Sequence, residues 1–151
     1  MRFTEPAGDT DLNQTYQTTQ AAEYKALASF RNLIKRACQD HPAIDDQALY
    51  DLQLACDEAC TNIIQHGYAG IDPGSIIFTL EVGNDQVFMV LTDFGHPFEP
   101  AEPPAPDLEA PLESREPGGF GLFFIYQTMD KVEYQATNCG NQLTLVKRLA
   151  K

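Results

Sequence analysis

The sequence predicts an α+β fold, a two-layer sandwich in which helices cover one face of a mostly antiparallel, mixed sheet. Hairpins dominate the predicted order of elements, which is strand, helix, helix, strand, strand, irregular segment, short helix, strand, strand. Because strands do not alternate with helices throughout, this order argues against a parallel, doubly wound sheet. The length of 151 residues and the hydrophobic fraction of 43% suit a single domain, residues 1–151, around one core.

The first predicted elements are a strand and a long helix. Residues 1–10 are predicted to be disordered, and residues 11–18 alternate weakly, as an edge strand would. Thr19 is placed to cap a helix over about 20–40, which ends at His41-Pro42 because proline cannot continue a helix. Four basic residues of this helix form either a solvated outer face or a recognition surface: Lys25, Arg31, Lys35 and Arg36.

The second predicted helix begins after Asp45 or Asp46 and ends at Gly67. Glu58 and Asn62 lie four residues apart, so they stack one turn above the other. A carboxylate and a carboxamide in this arrangement could place a proton-transfer group beside a metal ion, although such a pair is more often simply solvated. The apolar positions recur at three- and four-residue steps and predict a face that packs on a sheet: Leu52, Ala55 or Cys56, Ala59 and Ile63.

A hairpin is predicted next, with strands over 75–82 and 86–92 joined by Gly83-Asn84-Asp85. Its second strand is a continuous apolar run, which is typical of a strand with little surface left for solvent. The segment from Pro97 to Pro117 then holds seven of the ten prolines. An irregular segment of this length inside a domain is either functional or disordered.

The glycine-rich sequence 118–121 (GGFG) precedes a short helix predicted over 122–129. Two strands over 131–137 and 142–149 follow, with their turn at 138–141. Glycines allow a backbone to come close to an anion, and free N–H groups at a helix start point toward phosphate. The segment is therefore either a phosphate-binding loop or a flexible hinge.

Composition and charge exclude several classes of protein. The net charge of −12 repels phosphate backbones, so we expect no direct nucleic-acid binding, and it favours a partner with basic patches. No apolar run approaches the ~20 residues of a membrane span. Without a basic region and apolar core at the N-terminus, no secretory signal is predicted and a cytoplasmic location is expected. Cys56 and Cys60 lack zinc spacing and are predicted to be small buried hydrophobes.

Asp93 lies directly after the apolar strand and is followed by Phe94-Gly95. A buried carboxylate at a strand end needs a hydrogen-bond donor to offset its desolvation. The exocyclic amine of adenine would serve, whereas guanine presents a carbonyl there. The alternative is an ordinary turn in which the Asp93 side chain bonds its own backbone.

Four segments, taken in order, resemble the motifs of the GHKL ATPase superfamily. Residues 58–68 (EACTNIIQHGY) are similar to its N box, in the form of the RsbW-like anti-sigma factor serine/threonine-protein kinases. Residues 93–98 (DFGHPF) resemble the D-x-G-x-P-F box, residues 119–122 (GFGL) the G-x-G-L box, and residues 143–147 (LTLVK) the closing strand. The resemblance covers about residues 12–149.

The resemblance implies a Bergerat-type fold with an ATP site that uses Mg²⁺. In such a site Glu58 would deprotonate the attacking hydroxyl, and Asn62 would coordinate Mg²⁺ as part of the ATP site. Asp93 would bind the adenine amine, and Gly95 would let the base approach. A lid over about 96–118 would close on the nucleotide. The other ATP-binding residues implied are Arg115, Gly119, Gly121, Leu122, Asn141 and Thr144.

The resemblance also implies partners. In this family the phosphate acceptor is a serine on a STAS-domain anti-anti-sigma protein, and the phosphorylation state of that protein decides whether a sigma factor is held or released. Members commonly form homodimers, so a homodimer is expected here.

The sequence departs from the family pattern at two places. Many relatives have Gly-Thr at the final turn, where this chain has Gly140-Asn141, but a carboxamide can also hydrogen-bond to the base-binding aspartate. The predicted lid is acidic and rich in proline, with Arg115 as its one base. Because negative charge beside a triphosphate is unfavourable, its acids are expected to point outward and Arg115 to meet the γ-phosphate.

Three functions compete on these grounds. The first is an ATP-dependent serine/threonine-protein kinase that also switches the binding of its partner. The second is an ATP-binding module that sequesters a partner with little or no phosphoryl transfer. The third is a structural α+β domain that binds no nucleotide.

Overall fold

The computed structural model describes residues 2–4, 13–97 and 119–149, and for residues 2–4 and 119–122 it describes the backbone alone. In chain order the elements are β1 (Arg2–Thr4), β2 (Asn13–Ala21), α1 (Lys25–Cys38), α2 (Asp46–Asn62), a π-helical turn (Ile63–Gly67), β3 (Ser75–Val82), β4 (Gln86–Asp93), α3 (Gly119–Thr128), β5 (Lys131–Thr137) and β6 (Gly140–Arg148).

The strands form one six-stranded sheet in the order β1-β2-β3-β4-β6-β5. Each of its five pairings is antiparallel, so the predicted α+β fold with a mostly antiparallel sheet is confirmed. β4 pairs with β6 in a register that places Asp93 opposite Asn141. This pairing brings the end of β4 next to the start of β6, although the two strands are not consecutive in the chain.

The core lies between the sheet and the helices. β3 and β4 alternate between buried and half-buried positions, and the buried ones are on the helical face. Phe30 of α1 contacts Phe78 of β3, with ring centroids 5.0 Å apart. Burial of such apolar faces is the main favourable contribution to folding. No described helix combines the length and hydropathy that a membrane span needs.

Three predictions about the N-terminal part are wrong. Residues 2–4, predicted to be disordered, form β1. The strand predicted over 11–18 extends to Ala21 and lies inside the sheet between β1 and β3, not at its edge. Thr19 pairs with Ile77 in that sheet, so the first helix begins only at Lys25 and Thr19 does not cap it. Pairing along the whole length of β3 overrides the local capping signal.

The second helix agrees closely with its prediction. The side chain of Asp45 accepts a hydrogen bond from the backbone N–H of Ala48 at 2.8 Å, which caps the helix start. The helix continues through the π-helical turn and ends at Gly67 as predicted, although the sequence did not reveal the π geometry. π turns within helices occur frequently at functional sites.

Lys147 of β6 contacts both α2 and α3. Its ammonium lies 3.5 Å from the Asp51 carboxylate of α2 and donates to the backbone carbonyl of Thr128 at the end of α3. Both side chains of this ion pair are 15% exposed. The contact anchors α3, whose first turn carries the glycines predicted to bind phosphate.

Candidate functional site

A cleft lies on the helical face of the sheet, between the end of α2, the exit of β4 and the start of β5 and β6. Asn62 and Asp93, predicted from separate motifs, both line it. The structure therefore brings together two residues that are 31 positions apart in the chain. The described residues that line the cleft are Ala59, Asn62, Ile63, Gly67, Asp93, His96, Ile125, Val132, Tyr134 and Leu143.

Asp93 is held firmly at the end of β4. It is 6% exposed. Its Oδ1 accepts hydrogen bonds from the backbone N–H of Gly95 at 2.9 Å and from Nδ2 of Asn141 at 3.0 Å. Both of these hydrogen bonds, which come from described residues, end on Oδ1. Oδ2 can therefore accept from a donor that enters the cleft.

Asn141 fixes both sides of this turn. It is 3% exposed, and its Nδ2 also donates to the backbone carbonyl of Gly95 at 3.0 Å. Asn141 stands where many relatives have threonine, and its carboxamide makes the expected hydrogen bond to Asp93. Gly140 precedes it with a φ of 135°, a left-handed conformation that favours glycine.

Gly95 allows the exit of β4 to pack directly against the end of the π turn. A Cβ added at Gly95 would overlap the backbone carbonyl of Gly67. The next backbone N–H, that of His96, donates to the same carbonyl at 2.6 Å. Glycine is therefore required here by a close approach of two backbones, in addition to any need to admit a base.

Glu58 is half-buried on α2, one turn before Asn62. Burial, followed by the negative charge of neighbouring Asp57, raises the pKa of Glu58 above its ordinary value. A carboxylate with a raised pKa accepts a proton more readily, which suits a general base.

Asp57 pairs with Arg31 of α1. The Arg31 guanidinium lies 3.0 Å from Oδ2 of Asp57, whereas Oδ1 is buried without a hydrogen-bond partner among the described residues. Burial raises the pKa of Asp57, and Arg31 opposes that shift. Of the basic cluster predicted on α1, Arg31 is thus paired with Asp57, the residue before Glu58.

Gly119, Gly121 and Leu122 lie in the first turns of α3, which begins three residues earlier than predicted. The glycines are therefore part of the helix start and do not form a loop before it. Arg115 and almost all of the predicted lid over 96–118 lie outside the described residues.

Thr144 is not part of this cleft, so its prediction as an ATP-binding residue is wrong. Asn141, Leu143 and Leu145 are the buried, helix-facing positions of β6, and alternation places Thr144 on the opposite face. There it pairs with Val90 and Glu133 and lines a separate shallow surface with Gln142. The closing-strand motif identifies β6, but a residue within the motif need not contact the nucleotide.

Several site residues were missed by sequence reasoning. His96 and Tyr68 stood within quoted motifs without an assigned role, although Tyr68 makes two hydrogen bonds near Asp93. The apolar walls were also missed, although alternation along the last two strands could have placed Val132, Tyr134 and Leu143 on the helical face.

The cysteines of α2 are buried, as predicted. Cys56 and Cys60 are 1% and 0% exposed. A hydrogen bond with Cys60 and then burial raise the pKa of the Cys56 thiol. Among the described residues no group of three or more His, Cys, Asp or Glu side chains could hold a metal ion.

Similarity to known proteins agrees with this geometry. The histidine kinase-like ATPase domain family matches residues 20–147. The chain is 32% identical to the serine/threonine-protein kinase BtrW of Bordetella bronchiseptica over 67% of this chain and 71% of that one. It is 33% identical to the serine-protein kinase RsbW of Bacillus pumilus over 68% of this chain and 67% of that one.

A solved structure shows the same fold. The crystal structure of the RsbU and RsbW domains of a Mycobacterium tuberculosis protein aligns with a TM-score of 0.64 at 18% identity. The alignment covers 91% of this chain and 33% of that one. The chain therefore belongs to the histidine kinase-like ATPase domain family, and its relatives place it among the protein serine kinases of the RsbW and BtrW type.

Proposed function

We propose that this protein is an ATP-dependent serine/threonine-protein kinase and anti-sigma-type regulator. It transfers the γ-phosphoryl group of ATP to a serine of a STAS-domain partner and thereby switches the binding of that partner. The observation that carries the proposal is the cleft itself, because Asn62 and Asp93 line it together. The names of the kinase relatives support the reaction type.

Adenine is the base that the buried end of the cleft fits. With Oδ1 of Asp93 occupied by Gly95 and Asn141, Oδ2 accepts from the exocyclic amine of the base. Guanine presents a carbonyl oxygen at that position, which would face a carboxylate without a proton between them. Apolar side chains from three elements then enclose the ring: Ile63, Ile125 and Leu143.

Mg²⁺ fits the donor set of this cleft. Asn62 offers a carboxamide oxygen, is 7% exposed and lines the cleft. Since no multi-ligand cluster exists among the described residues, the ion would be held by this oxygen, phosphate oxygens and water. That is the ordinary mode for Mg²⁺, which retains several waters. Bound there, it would neutralise charge on the phosphates.

The start of α3 is suited to the phosphates. The first N–H groups of a helix have no partner within it, and they carry a partial positive charge. Gly119 and Gly121 in the first turn would leave those groups accessible. Arg115, just before this turn in the chain, would contact the γ-phosphate.

Glu58 would act as the general base of the transfer. The serine hydroxyl oxygen of the partner attacks the γ-phosphorus, the bond from that phosphorus to the β–γ bridging oxygen breaks, and ADP leaves. The hydroxyl proton passes to the Glu58 carboxylate. Positioning and charge neutralisation supply most of the catalysis in reactions of this class.

Family membership also supports a proposal for the partners, the location and the oligomeric state. The substrate is a STAS-domain protein, a sigma factor is a second partner, and the kinase acts in the cytoplasm as a homodimer. The net charge of −12 favours partners with basic patches over nucleic acid.

A partner-sequestering module with little transfer is the second candidate. The observation that favours it is the acidity of the segment 98–118, which holds six acidic residues and only Arg115 as a base. Negative charge near a triphosphate opposes closure over it.

The test is to incubate the purified protein and Mg-ATP with candidate STAS-domain proteins and measure partner mass. A gain of one phosphoryl group on a serine, absent with Glu58→Gln, is the expected result. ATP-dependent complex formation without a mass change supports sequestration. No stabilisation of the protein by Mg-ATP contradicts both.

A further inference from the structure

Tyr68 joins three segments around the candidate site. Its side chain is 6% exposed. Its hydroxyl donates to the backbone carbonyl of Ser75 at 2.8 Å and accepts from the backbone N–H of Phe94 at 2.9 Å. Ser75 begins β3 and Phe94 follows directly after Asp93, so one hydroxyl links the end of the π turn to both neighbouring strands.

The segment that Tyr68 holds is the one that shapes Asp93. The backbone N–H of Gly95 donates to Oδ1 of Asp93 at 2.9 Å, one residue beyond Phe94. The N–H of His96 donates to Gly67, the residue before Tyr68. Three successive N–H groups, from residues 94–96, therefore bond to the π-turn end or to Asp93 itself.

The environment of Tyr68 keeps its hydroxyl protonated and in place. Burial is the main cause that raises the pKa of Tyr68, the charge of Asp93 adds to it, and the Phe94 N–H opposes it. A protonated hydroxyl can donate and accept at once, as this geometry requires. Gly74 leaves space for the ring, since a Cβ there would stand 3.0 Å from the hydroxyl oxygen.

We propose that Tyr68 is a positioning residue that sets nucleotide affinity by fixing the Phe94-Gly95 turn against the π-turn end. The inference rests on the proposed ATP site. When the hydroxyl is removed, the N–H of Phe94 and the carbonyl of Ser75 lose their partner, and the turn samples arrangements that no longer orient Asp93. The apparent affinity falls in proportion to the fraction of molecules that remain competent.

The test compares Tyr68→Phe with Tyr16→Phe. Tyr16 is a partly buried tyrosine of β2 whose hydroxyl contacts Gln14 far from the cleft, so it controls for the loss of a hydroxyl. Affinities for Mg-ATP, Mg-ADP and Mg-GTP are measured by calorimetry well below the unfolding temperature.

Tyr68→Phe is expected to weaken ATP and ADP binding about tenfold, because both hydrogen bonds of the hydroxyl, to Ser75 and from Phe94, are lost. Because GTP does not use the Asp93 contact, the ratio of ATP to GTP affinity falls. Turnover at saturating ATP stays within about twofold, since Glu58 and Asn62 lie on the preceding helix turns. Tyr16→Phe leaves all three affinities unchanged.

Unchanged affinities and an unchanged ATP to GTP ratio in Tyr68→Phe would overturn the inference, even if its unfolding temperature were lower. Gly74→Ala tests the same contact if Tyr68→Phe does not fold, because its methyl group would stand 3.0 Å from the hydroxyl oxygen and press on the ring. It should also weaken ATP binding. Failure of the wild-type protein to bind ATP would instead contradict the proposed function.

Discussion

The proposed adenine end of the cleft and Glu58, the proposed general base, have different surroundings. At the adenine end, Asp93 is nearly inaccessible and is fixed by Gly95 and Asn141 at 2.9 and 3.0 Å. Glu58 lies one helical turn before Asn62 and is not among the described lining residues of the cleft. It is half-buried beside the like charge of Asp57, and its pKa is raised. Asp93 is positioned by hydrogen bonds before any ligand binds. Glu58 has surroundings that disfavour its charged form, and a nearby cation would oppose that effect.

This difference separates recognition from chemistry. A prearranged acceptor costs little to reorganise, so it yields affinity and selectivity for the base. A carboxylate that is destabilised in its charged form gains most when it takes up a proton or faces a positive charge. Substitutions of Asp93 and of Glu58 should therefore change different kinetic quantities.

The largest effect is expected from Glu58→Gln. The amide cannot accept the proton of the serine hydroxyl, so partner phosphorylation should slow by about 10²- to 10⁴-fold. Mg-ATP affinity should remain within a few-fold because the adenine end is untouched. Single-turnover kinetics and calorimetry measure the two quantities. Glu133→Gln, an exposed residue on β5, is the matched control; equal loss in both variants would contradict the assignment.

Asp93→Asn should weaken ATP binding about 10- to 100-fold, the range for losing a hydrogen bond to a charged group. Its turnover at saturating ATP should change little, in contrast to Glu58→Gln. Asp85→Asn, in the exposed hairpin turn, provides the same change of charge away from the cleft. Retained selectivity for ATP over GTP in Asp93→Asn would remove adenine recognition from this residue.

Asn141→Ala should weaken ATP binding about tenfold, because both hydrogen bonds of the carboxamide to the Asp93 turn are lost. Asn141→Thr should recover part of that affinity, since a hydroxyl can still donate to Asp93. The comparison of these two variants by calorimetry separates hydrogen bonding from packing. Equal affinities for Ala and Thr would show that the donor is unimportant.

The smallest effect is a shift of the pH profile. The base must be deprotonated, so activity falls as pH falls through the pKa of Glu58, and its raised pKa moves this acid limb to higher pH. Burial is the main cause and persists in Asp57→Asn, whereas the like charge is removed. The limb of kcat should therefore move to lower pH in Asp57→Asn and stay in place in Asp40→Asn, an exposed control.

Local patterns in the sequence predicted most of the fold. The cap at Asp45, the spacing of α2 and the hairpin glycines are short-range signals, and the helix and the strands formed where they indicated. The signals failed where pairing decided the outcome. β2 runs past Thr19 because β3 offers partners as far as Ser75, and β1 forms because β2 leaves an edge open.

The site residues also divide into those that a local motif predicts and those that depend on long-range contacts. Asn62 and Asp93 could be predicted because each motif is contiguous in the chain. The bonds of Asn141 to Asp93 and of Tyr68 to Phe94 span 48 and 26 residues, and no local periodicity encodes them. Thr144 was misassigned because membership in a motif does not fix which face of a strand a residue occupies.

The central claim is that the cleft lined by Asn62 and Asp93 binds Mg-ATP. A crystal structure with Mg²⁺ and a non-hydrolysable ATP analogue tests it most directly. We expect the adenine amine about 3 Å from Oδ2 of Asp93 and the Asn62 oxygen about 2.1 Å from the metal ion. A nucleotide bound on the opposite face of the sheet, or one in the cleft with its base turned away from Asp93, would contradict it.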